Sequence, residues 1–600
     1  MHKSFKNTIS LVSLTLLSSA IQAVEKNAPN VLFIAIDDLK PELGCYGNEI
    51  VKTPNIDKLA AKGTLFTQSY CQQAVSGPTR ASLLTGKRPD YTKVWDLETL
   101  IRDINPNIVT LPQYFAQNGY TTTGIGKIFD ARSVDIMFDA SSWSMPFLKV
   151  EDKYYYNNRK QSMHYQAETT RNEIEKYKAE AIALGMKTYS QYESYIKSRI
   201  FPSTECIDIP DNGYVDGANT LKALDVLTQL SKSNKPFFFG MGYVRPHLPF
   251  VAPKKYWDLY DRNKMPLATF QEQALNSPTF AYHNSGELRT YTDIPSLVQF
   301  TDLNENHIGL QRDKQKELIH GYYATISYVD AQIGLLMNKL DELGIADKTD
   351  IVLWGDHGWH LGDHDLWCKH SNFEQATRTP LIFYKPGLNP SKYEMPVEFV
   401  DIFPTLCELT GINIPAKLDG VSLFASMQNN NAVAKDFAVS QYPRTDKMGY
   451  SIRTERYRYT VWYDWKNRVL DRSKVYATEL YDYEKDPLET VNVANENDYE
   501  VVSADLNKKM ELFFEKGSVD TNLELNILKA NSVYNELTIT RLLSGIIVIN
   551  FDPNFSVDLY DVSGQKLASN NSSSDLVRFE ILKKGIYFIR NENRVTKLIF

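Results

Sequence analysis

The chain runs to 600 residues, 43% hydrophobic and 23% charged, with a formal net charge of −7. That length predicts two or three domains, and the composition is that of a globular protein able to bury a large core. An acidic balance without a dominant basic patch argues against a nucleic-acid binder, so an anionic ligand would need a local cluster of basic residues.

Residues 1–23 read as a secretory signal. Met1 to Lys6 is basic, Ile9 to Leu17 is apolar, and Ser18-Ser19-Ala20 or Ala23 offers small residues for cleavage. That apolar run is too short for a bilayer and no later one is long enough, so no transmembrane segment is predicted. Five cysteines (Cys45, Cys71, Cys206, Cys368, Cys407) are odd in number and lack CxxC spacing. They make no metal knuckle and at most two disulfides.

Val31 to Ile36 is a continuous apolar run, as expected of a strand buried on both faces of a largely parallel sheet. It ends in Asp37-Asp38, at the edge where such sheets place ligands. Adjacent acids repel unless positive charge lies between them, which points to a cation; a helix cap beside a solvated turn aspartate is the plainer alternative. Thr53-Pro54 opens a helix, with Thr53 as cap and Pro54 in the first turn. In Ser76-Gly77-Pro78-Thr79-Arg80, Pro78 suits a helix start, so Ser76 stands at an N-terminus that favours negative charge. Arg80 is then close enough to fork onto oxygens of residue 76. A surface turn would also accommodate this string.

Gly119 to Lys127 predicts a short strand that delivers Lys127 to a glycine-flanked edge. Residues 153–199 are charged and Tyr-rich, with helix over Asn172 to Leu184, and form either a substrate entrance or a solvated arm. Asp216 suits a helix cap, and Pro236 to Tyr243 is a second buried strand. His247 follows in a loop stiffened by Pro246 and Pro249. Leu318 to Leu343 is a long amphipathic helix, assigned to packing, that ends at Gly344.

Asp350 to Gly355 is a third buried strand and ends in Asp356-His357. Between Asp356 and Asp365 the chain crowds three of its ten histidines and three acids. Alone, this stretch suggests Zn²⁺; joined to Asp37, Asp38 and residue 76, the oxygen-rich set suits Ca²⁺, with His357 as nitrogen ligand. Arg378 to Tyr384 is another strand, and Val397 to Leu409 begins a helix. After residue 410, short strands (Tyr450 to Tyr463, Tyr476 to Tyr481) and a helix near Val502 to Phe514 predict a smaller α+β lobe. The last segment alternates as short strands over Leu537 to Asn550, Phe555 to Asp561, Arg578 to Leu582 and Ile586 to Arg590. Turns at Ser563-Gly564 and Lys583 to Gly585, with a polar loop from Ser569 to Ser574, complete a small β-sandwich pattern.

Ser76 through Gly86 resembles the signature of the type I sulfatases, in which a leading Cys or Ser is oxidised to formylglycine; it departs at Lys87, usually arginine. Asp37-Asp38-Leu39, Leu43 to Gly47, Gln73 to Ser76, Gly126 to Phe129, Pro246-His247, Asp356 to Trp359 and Lys369 to Phe373 stand in family order. Together they resemble the iduronate-2-sulfatase-like branch within the alkaline phosphatase superfamily. Leu559 to Lys566 and Lys584 to Ile589 resemble the type IX secretion sorting domain, with a carbohydrate-binding sandwich as the alternative.

The resemblance implies an α/β fold with an alkaline-phosphatase-like mixed sheet sandwiched by helices, over 28–410. A smaller α+β lobe (411–520) and a sorting β-domain (528–600) would follow. It further implies Ca²⁺ held by Asp37, Asp38, residue 76, Asp356 and His357. Arg80 and Lys127 would steady the formylglycine and the sulfate, while His247 and Lys369 face the scissile ester. Asp130 stands where the branch has a histidine that helps release sulfate, so Asp130 or another group would be the base.

The implied activity is removal of sulfate from a sulfated polysaccharide or oligosaccharide such as ulvan. Implied partners are a formylglycine-generating maturase and the type IX machinery. The protein would be secreted or at the cell surface, with the periplasm as alternative. A phosphate or phosphonate ester hydrolase and a non-catalytic glycan-binding surface protein are the competing readings.

Overall fold

The computed structural model describes residues 28–295, 310–516 and the strands between 538 and 599. The predicted signal segment 1–23, the turns at 563–564 and 583–585, and residues 571–574 of the polar loop lie outside the described residues.

Seven strands form the central sheet: β1 (Asn30–Ile36), β2 (Thr64–Phe66), β3 (Thr121–Gly126), β4 (Phe237–Tyr243), β5 (Thr349–Gly355), β6 (Leu381–Tyr384) and β7 (Ser391–Tyr393). Their order is β7-β2-β6-β5-β1-β4-β3, and all run parallel except β6. The strands that sequence reads as unbroken apolar runs lie at the centre. In β1, alternation sends Leu32, Ile34 and Ile36 into one apolar cluster and Val31, Phe33 and Ala35 into the other.

Four helices carry most of the cover: α1 (Ser76–Thr85), α2 (Val215–Leu230), α3 (Arg312–Glu342) and α4 (Ile402–Thr410). α2 and α3 cover the Leu32 face, and α1 and α4 the Val31 face. This is the α/β sandwich expected, and its register decides the rest. Ile36 pairs with Tyr243 and Gly355, and Gly126 with Gly242, so four parallel strands end level. Close approach of β3 and β4 requires glycine there: a Cβ on Gly242 would stand 2.3 Å from the Lys127 backbone, and Gly126 has φ +79°.

Several local expectations change in the fold. Thr53 precedes the helix Pro54–Ala60, but its hydroxyl turns to Asp57 instead of capping. Asp216 lies inside the first turn of α2, where its carboxylate accepts from the Val244 and Arg245 amides. The Val397 helix starts later, at Ile402, after a two-residue strand and a 3₁₀ turn. In the insertion, the helices Glu168–Ala183 and Tyr189–Lys197 bury only Ile174, Ala181 and Ile196.

The smaller lobe is a four-stranded antiparallel sheet (Phe437–Arg444, Lys447–Thr454, Tyr457–Asp464, Asp471–Asp482). Leu506, Met510 and Phe513 of the helix Glu500–Lys516 pack against its Tyr450 and Val461. The terminal segment holds one three-stranded and one four-stranded antiparallel sheet. Its strand Lys566–Asn570 takes in Ser569 and Asn570, placed in a loop by sequence, and Arg594–Ile599 is a strand not read there. All five cysteines are free, and no helix among the described residues is long and apolar enough to cross a membrane.

A buried ion cluster ties the lobe to the helix that bears Ser76. Arg88, just past α1, forks onto Glu398 at 2.6 and 2.8 Å, and Lys435 reaches Glu398 and Asp401 at 2.6 Å each. Burial pushes the Glu398 carboxyl up, but Arg88 and Lys435 outweigh it and hold it at about 2. Stability from this lowered pKa is present above the unfolded glutamate value of about 4.3 and is lost as pH falls towards 2. Glu398→Gln should therefore cost about 3 kcal/mol at pH 7 and progressively less below pH 4, read by urea unfolding across pH.

Candidate active site

The level strand ends build the site. Asp37 and Asp356 are the residues next after Ile36 and Gly355, and Lys127 is the next after Gly126. Backbone bonds continue the sheet by one step: Asp37 N–H to Tyr243 O (3.2 Å), Asp356 N–H to Ile36 O (3.1 Å) and Lys127 N–H to Gly242 O (3.1 Å). Asp38 then turns into the left-handed region at φ +60°, which aspartate tolerates better than most residues. Its amide donates to Asp356 Oδ1 at 2.9 Å, and its carbonyl accepts from the Tyr322 hydroxyl at 2.7 Å. The long helix α3, assigned only packing from its periodicity, thus also holds the Asp38 turn.

Asp37, Asp38, Asp356 and His357 each offer a ligand atom, all within 4.8 Å of one another, and all four residues are buried. Ser76, at the first turn of α1, donates to Asp37 Oδ1 at 3.0 Å and lies 3.3 Å from His357 Nε2. His357 Nδ1 donates to Gly358 O at 3.0 Å, which leaves the Nε2 lone pair facing the carboxylates. Burial first, and Lys369 second, hold this imidazole well below its usual pKa, hence neutral as a metal ligand must be. Burial raises Asp38 well above the ordinary range, with Asp37, Glu287 and Asp356 adding repulsion against Lys369. Asp37 is also raised by burial, but Lys127, His247 and Arg80 reverse that and hold it ionised. Three carboxylate oxygens and one imidazole nitrogen, dry and crowded, fit a hard divalent cation.

Basic groups line the same pocket. Lys127 Nζ reaches Asp37 Oδ2 at 2.6 Å and Ser76 Oγ at 3.4 Å. Lys369 Nζ lies 3.1 and 3.0 Å from the two Asp38 oxygens and above the Trp359 ring. His247 comes from the loop after β4, with Nδ1 on Leu248 O at 2.6 Å and Nε2 3.8 Å from Asp38. Burial and then Lys369 push its pKa down to about 3.

Sequence reasoning missed Glu287, which touches Lys369 at 2.9 Å and both His247 and His370 at 3.2 Å. It lies in an irregular stretch with no motif, so periodicity and spacing carry no signal for it. Burial raises this carboxyl, yet Lys369, His370 and His247 hold it well below the usual range, so it is ionised. With all four carboxylates (Asp37, Asp38, Asp356, Glu287) ionised against three fixed cations (Arg80, Lys127, Lys369), the site carries an excess of one negative charge. A divalent cation makes the excess positive by one, which a sulfate monoester would cancel.

Other expectations are corrected. Arg80 does not fork onto residue 76: its Nε donates to Asp356 at 3.0 Å, one terminal nitrogen to Asp37 at 3.2 Å, and the other to the Lys127 and Ile128 carbonyls. It is fully buried and holds the two carboxylates together. His360 bonds Ser371 at 2.9 Å and His364 stacks on Phe373, so of the crowded histidines only His357 joins the acids. Asp130 accepts Arg132 Nε and a terminal nitrogen at 2.9 and 2.8 Å. Burial raises it, but Arg132 and Lys127 more than reverse that, which makes it a weak base. Lys87 pairs with Asp419 at 2.6 Å, away from Ser76.

A site that could hold a cation among buried acids, presents a hydroxyl and flanks both with lysines suits hydrolysis of an anionic ester. The chain belongs to the sulfatase family, whose sequence profile matches residues 29–412, and it is a sulfuric ester hydrolase. A second profile, "N-sulphoglucosamine sulphohydrolase, C-terminal", matches 362–516, and "Secretion system C-terminal sorting domain" matches 543–599. Human iduronate 2-sulfatase is 32% identical over 537 residues, covering 78% of this chain and 92% of the human protein. Two solved structures share the fold. One, in complex with its substrate D-glucosamine-2-N,6-O-disulfate, has a TM-score of 0.58 at 22% identity, covering 81% of this chain and 97% of that one. The other, a phosphonate monoester hydrolase of Agrobacterium radiobacter, has a TM-score of 0.58 at 23% identity, covering 83% and 97%.

Removing the guanidinium would strand the buried Asp356 carboxylate and leave Asp37 with Lys127 alone. Arg80→Ala should cost about 3–5 kcal/mol of stability, and Arg80→Lys, which keeps the charge but not the fork, clearly less. Urea unfolding in the presence of a chelator measures both without a contribution from bound metal.

Proposed function

We propose that the protein removes sulfate from a sulfated polysaccharide or oligosaccharide, ulvan being one example. It would do so through a formylglycine made from Ser76 and a Ca²⁺ held by Asp37, Asp38, Asp356, His357 and residue 76. The observation that carries this reading is the contact of Ser76 Oγ with both Asp37 and His357, inside the four-residue cation cradle. The iduronate 2-sulfatase relative supports an ester on a sugar acid as the substrate class.

When present, the cation and the formylglycine supply an oxygen nucleophile acidic enough to attack sulfur near neutral pH. The chain's own residues do the rest. Lys127, beside Asp37, and Lys369, beside Asp38, stand on two sides of the cradle and can neutralise sulfate oxygens in a dry site. The residue 76 hydroxyl donates to Asp37 Oδ1 at 3.0 Å, so the carboxylate in contact with it is Asp37 and not Asp130, although against burial nearby cations hold the pKa of both down.

His247 is the proposed general acid. With Nδ1–H donated to Leu248 O, a neutral ring presents a bare Nε2, so the ring must take up a second proton before it can give one to the leaving oxygen. An arriving sulfate ester favours that charged form. His247→Ala should lose about 10²- to 10⁴-fold in kcat on sugar sulfates. It should lose much less on 4-nitrophenyl sulfate, whose leaving group needs no proton.

We assign residues 28–410 to the catalytic domain, 411–520 to the smaller lobe and 528–600 to the sorting domain. The sorting profile supports export to the cell surface or beyond through the type IX machinery. A signal at 1–23 and a formylglycine-generating maturase complete the proposal.

Two measurements test it. Mass analysis of the Ser76 peptide from active enzyme should show the loss of two hydrogens, and Ca²⁺ added after chelation should raise the Tm and restore cleavage of a sulfated-sugar panel. An intact serine in enzyme that still releases sulfate would sink the formylglycine reading. Cleavage of phosphorylated but not sulfated esters would turn the assignment to a phosphate ester hydrolase.

A further inference from the structure

We propose that Glu287 determines specificity by accepting a hydrogen bond from the sugar hydroxyl next to the sulfated carbon. The proposal rests on the sugar-sulfatase reading above. Glu287 contributes nothing to the four-residue cation cradle. It arrives on a separate segment, pinned where Trp367 N–H donates to Ser285 Oγ at 3.1 Å and where Leu288 is buried.

Its two oxygens face different partners. Oε2 meets His370 Nε2 at 3.2 Å, and the other nitrogen of that ring meets the Tyr442 hydroxyl at 2.8 Å. Oε1 lies 2.9 Å from Lys369 Nζ and 3.2 Å from His247 Nε2, the two groups assigned to the scissile ester.

A carboxylate beside a pocket for an anion repels the ligand, so its presence there calls for a compensating contact. Lys369 does not need it, since Asp38 already pairs with that ammonium at 3.0 Å. An ionised carboxylate only accepts, so any ligand group that meets Oε1 beside Lys369 must be a donor, and sulfate is not one. Asp38, His247 and Glu287 also bring ligand atoms within 4.8 Å of one another, but a second cation there would meet the Lys369 ammonium directly. A neutral hydroxyl has no such conflict.

Vicinal oxygens on a sugar ring stand roughly a hydrogen bond apart, about 2.8 Å. If the ester oxygen takes the place before His247 and Lys369, the hydroxyl of the neighbouring carbon comes to Oε1. The same carboxylate repels a sugar carrying a second sulfate at that position.

The test uses the full-length enzyme and two probes, iduronate 2-sulfate and its 3-deoxy analogue, or the equivalent pair for whichever panel sugar is cleaved fastest. Wild type should lose about 10- to 100-fold in kcat/KM on the deoxy sugar, the worth of a charge-assisted hydrogen bond. Glu287→Gln should slow both sugars through His247 and Lys369, but its ratio of rates on the parent and deoxy sugars should fall to near one, because the contact is already gone. Independent losses that multiply would overturn the assignment and leave Glu287 a support for His247 and Lys369. If the variant does not fold, the wild-type pair still decides, since equal rates on both sugars overturn the proposal. A wild type that cleaves no sulfated sugar would sink the underlying reading as well, which separates the two failures.

Discussion

Three aspartates whose ligand atoms crowd within 4.8 Å of one another cannot all stay ionised in a dry interior without positive charge woven among them. Arg80 meets that constraint from within α1, the helix that also carries Ser76. One guanidinium spans Asp37 and Asp356 and at the same time closes onto the carbonyls after β3. Its five donors lie in a fixed plane, which suits a residue that must fix distances as well as charge. The sheet edge, the reactive helix and Lys127 are therefore positioned by one side chain. The same helix is anchored at its far end, where Arg88 forks onto Glu398 and draws in the smaller lobe through Lys435.

The pocket is electrostatically two-sided. Lys127 and Arg80 serve Asp37, while Lys369 serves Asp38, so each adjacent acid has its own cation. Burial and its neighbours push Asp38 up, whereas Asp37 is pulled down. Two chemically identical neighbours thus differ in proton affinity through what surrounds them, and a cation shared by both would favour the ionised form of each. Glu287 and His247 are part-exposed, whereas Asp37, Asp38 and Asp356 are fully buried. Recognition chemistry there is carried by loops, which can vary while the sheet edge stays fixed.

How much of this is legible before folding depends on the range of the physics involved. Buried parallel strands announce themselves as unbroken apolar runs, and α3 as a 3.6-residue stripe, because burial of a face is a local pattern. Acids at strand ends are also readable, since open α/β sheets place ligands there. The polar Ser569-Asn570 pair reads as loop yet lies in a strand, because pairing with the neighbouring strand overrides local polarity. Periodicity likewise assigns α3 to packing and says nothing of Tyr322 reaching the Asp38 carbonyl.

From the sequence alone came the α/β class, the three buried strands, the acids that end two of them, the helix start at Ser76 and the family motifs. Each depends on residues near one another in the chain. Tertiary structure alone decided that Arg80 clamps aspartates instead of residue 76, that His360 and His364 leave the metal set, that Arg132 neutralises Asp130 and that Glu287 joins the pocket. Those outcomes depend on distances across the sheet edge and between loops, and the strength of a charge or a hydrogen bond is set by such distances and by burial, neither of which is written in chain order.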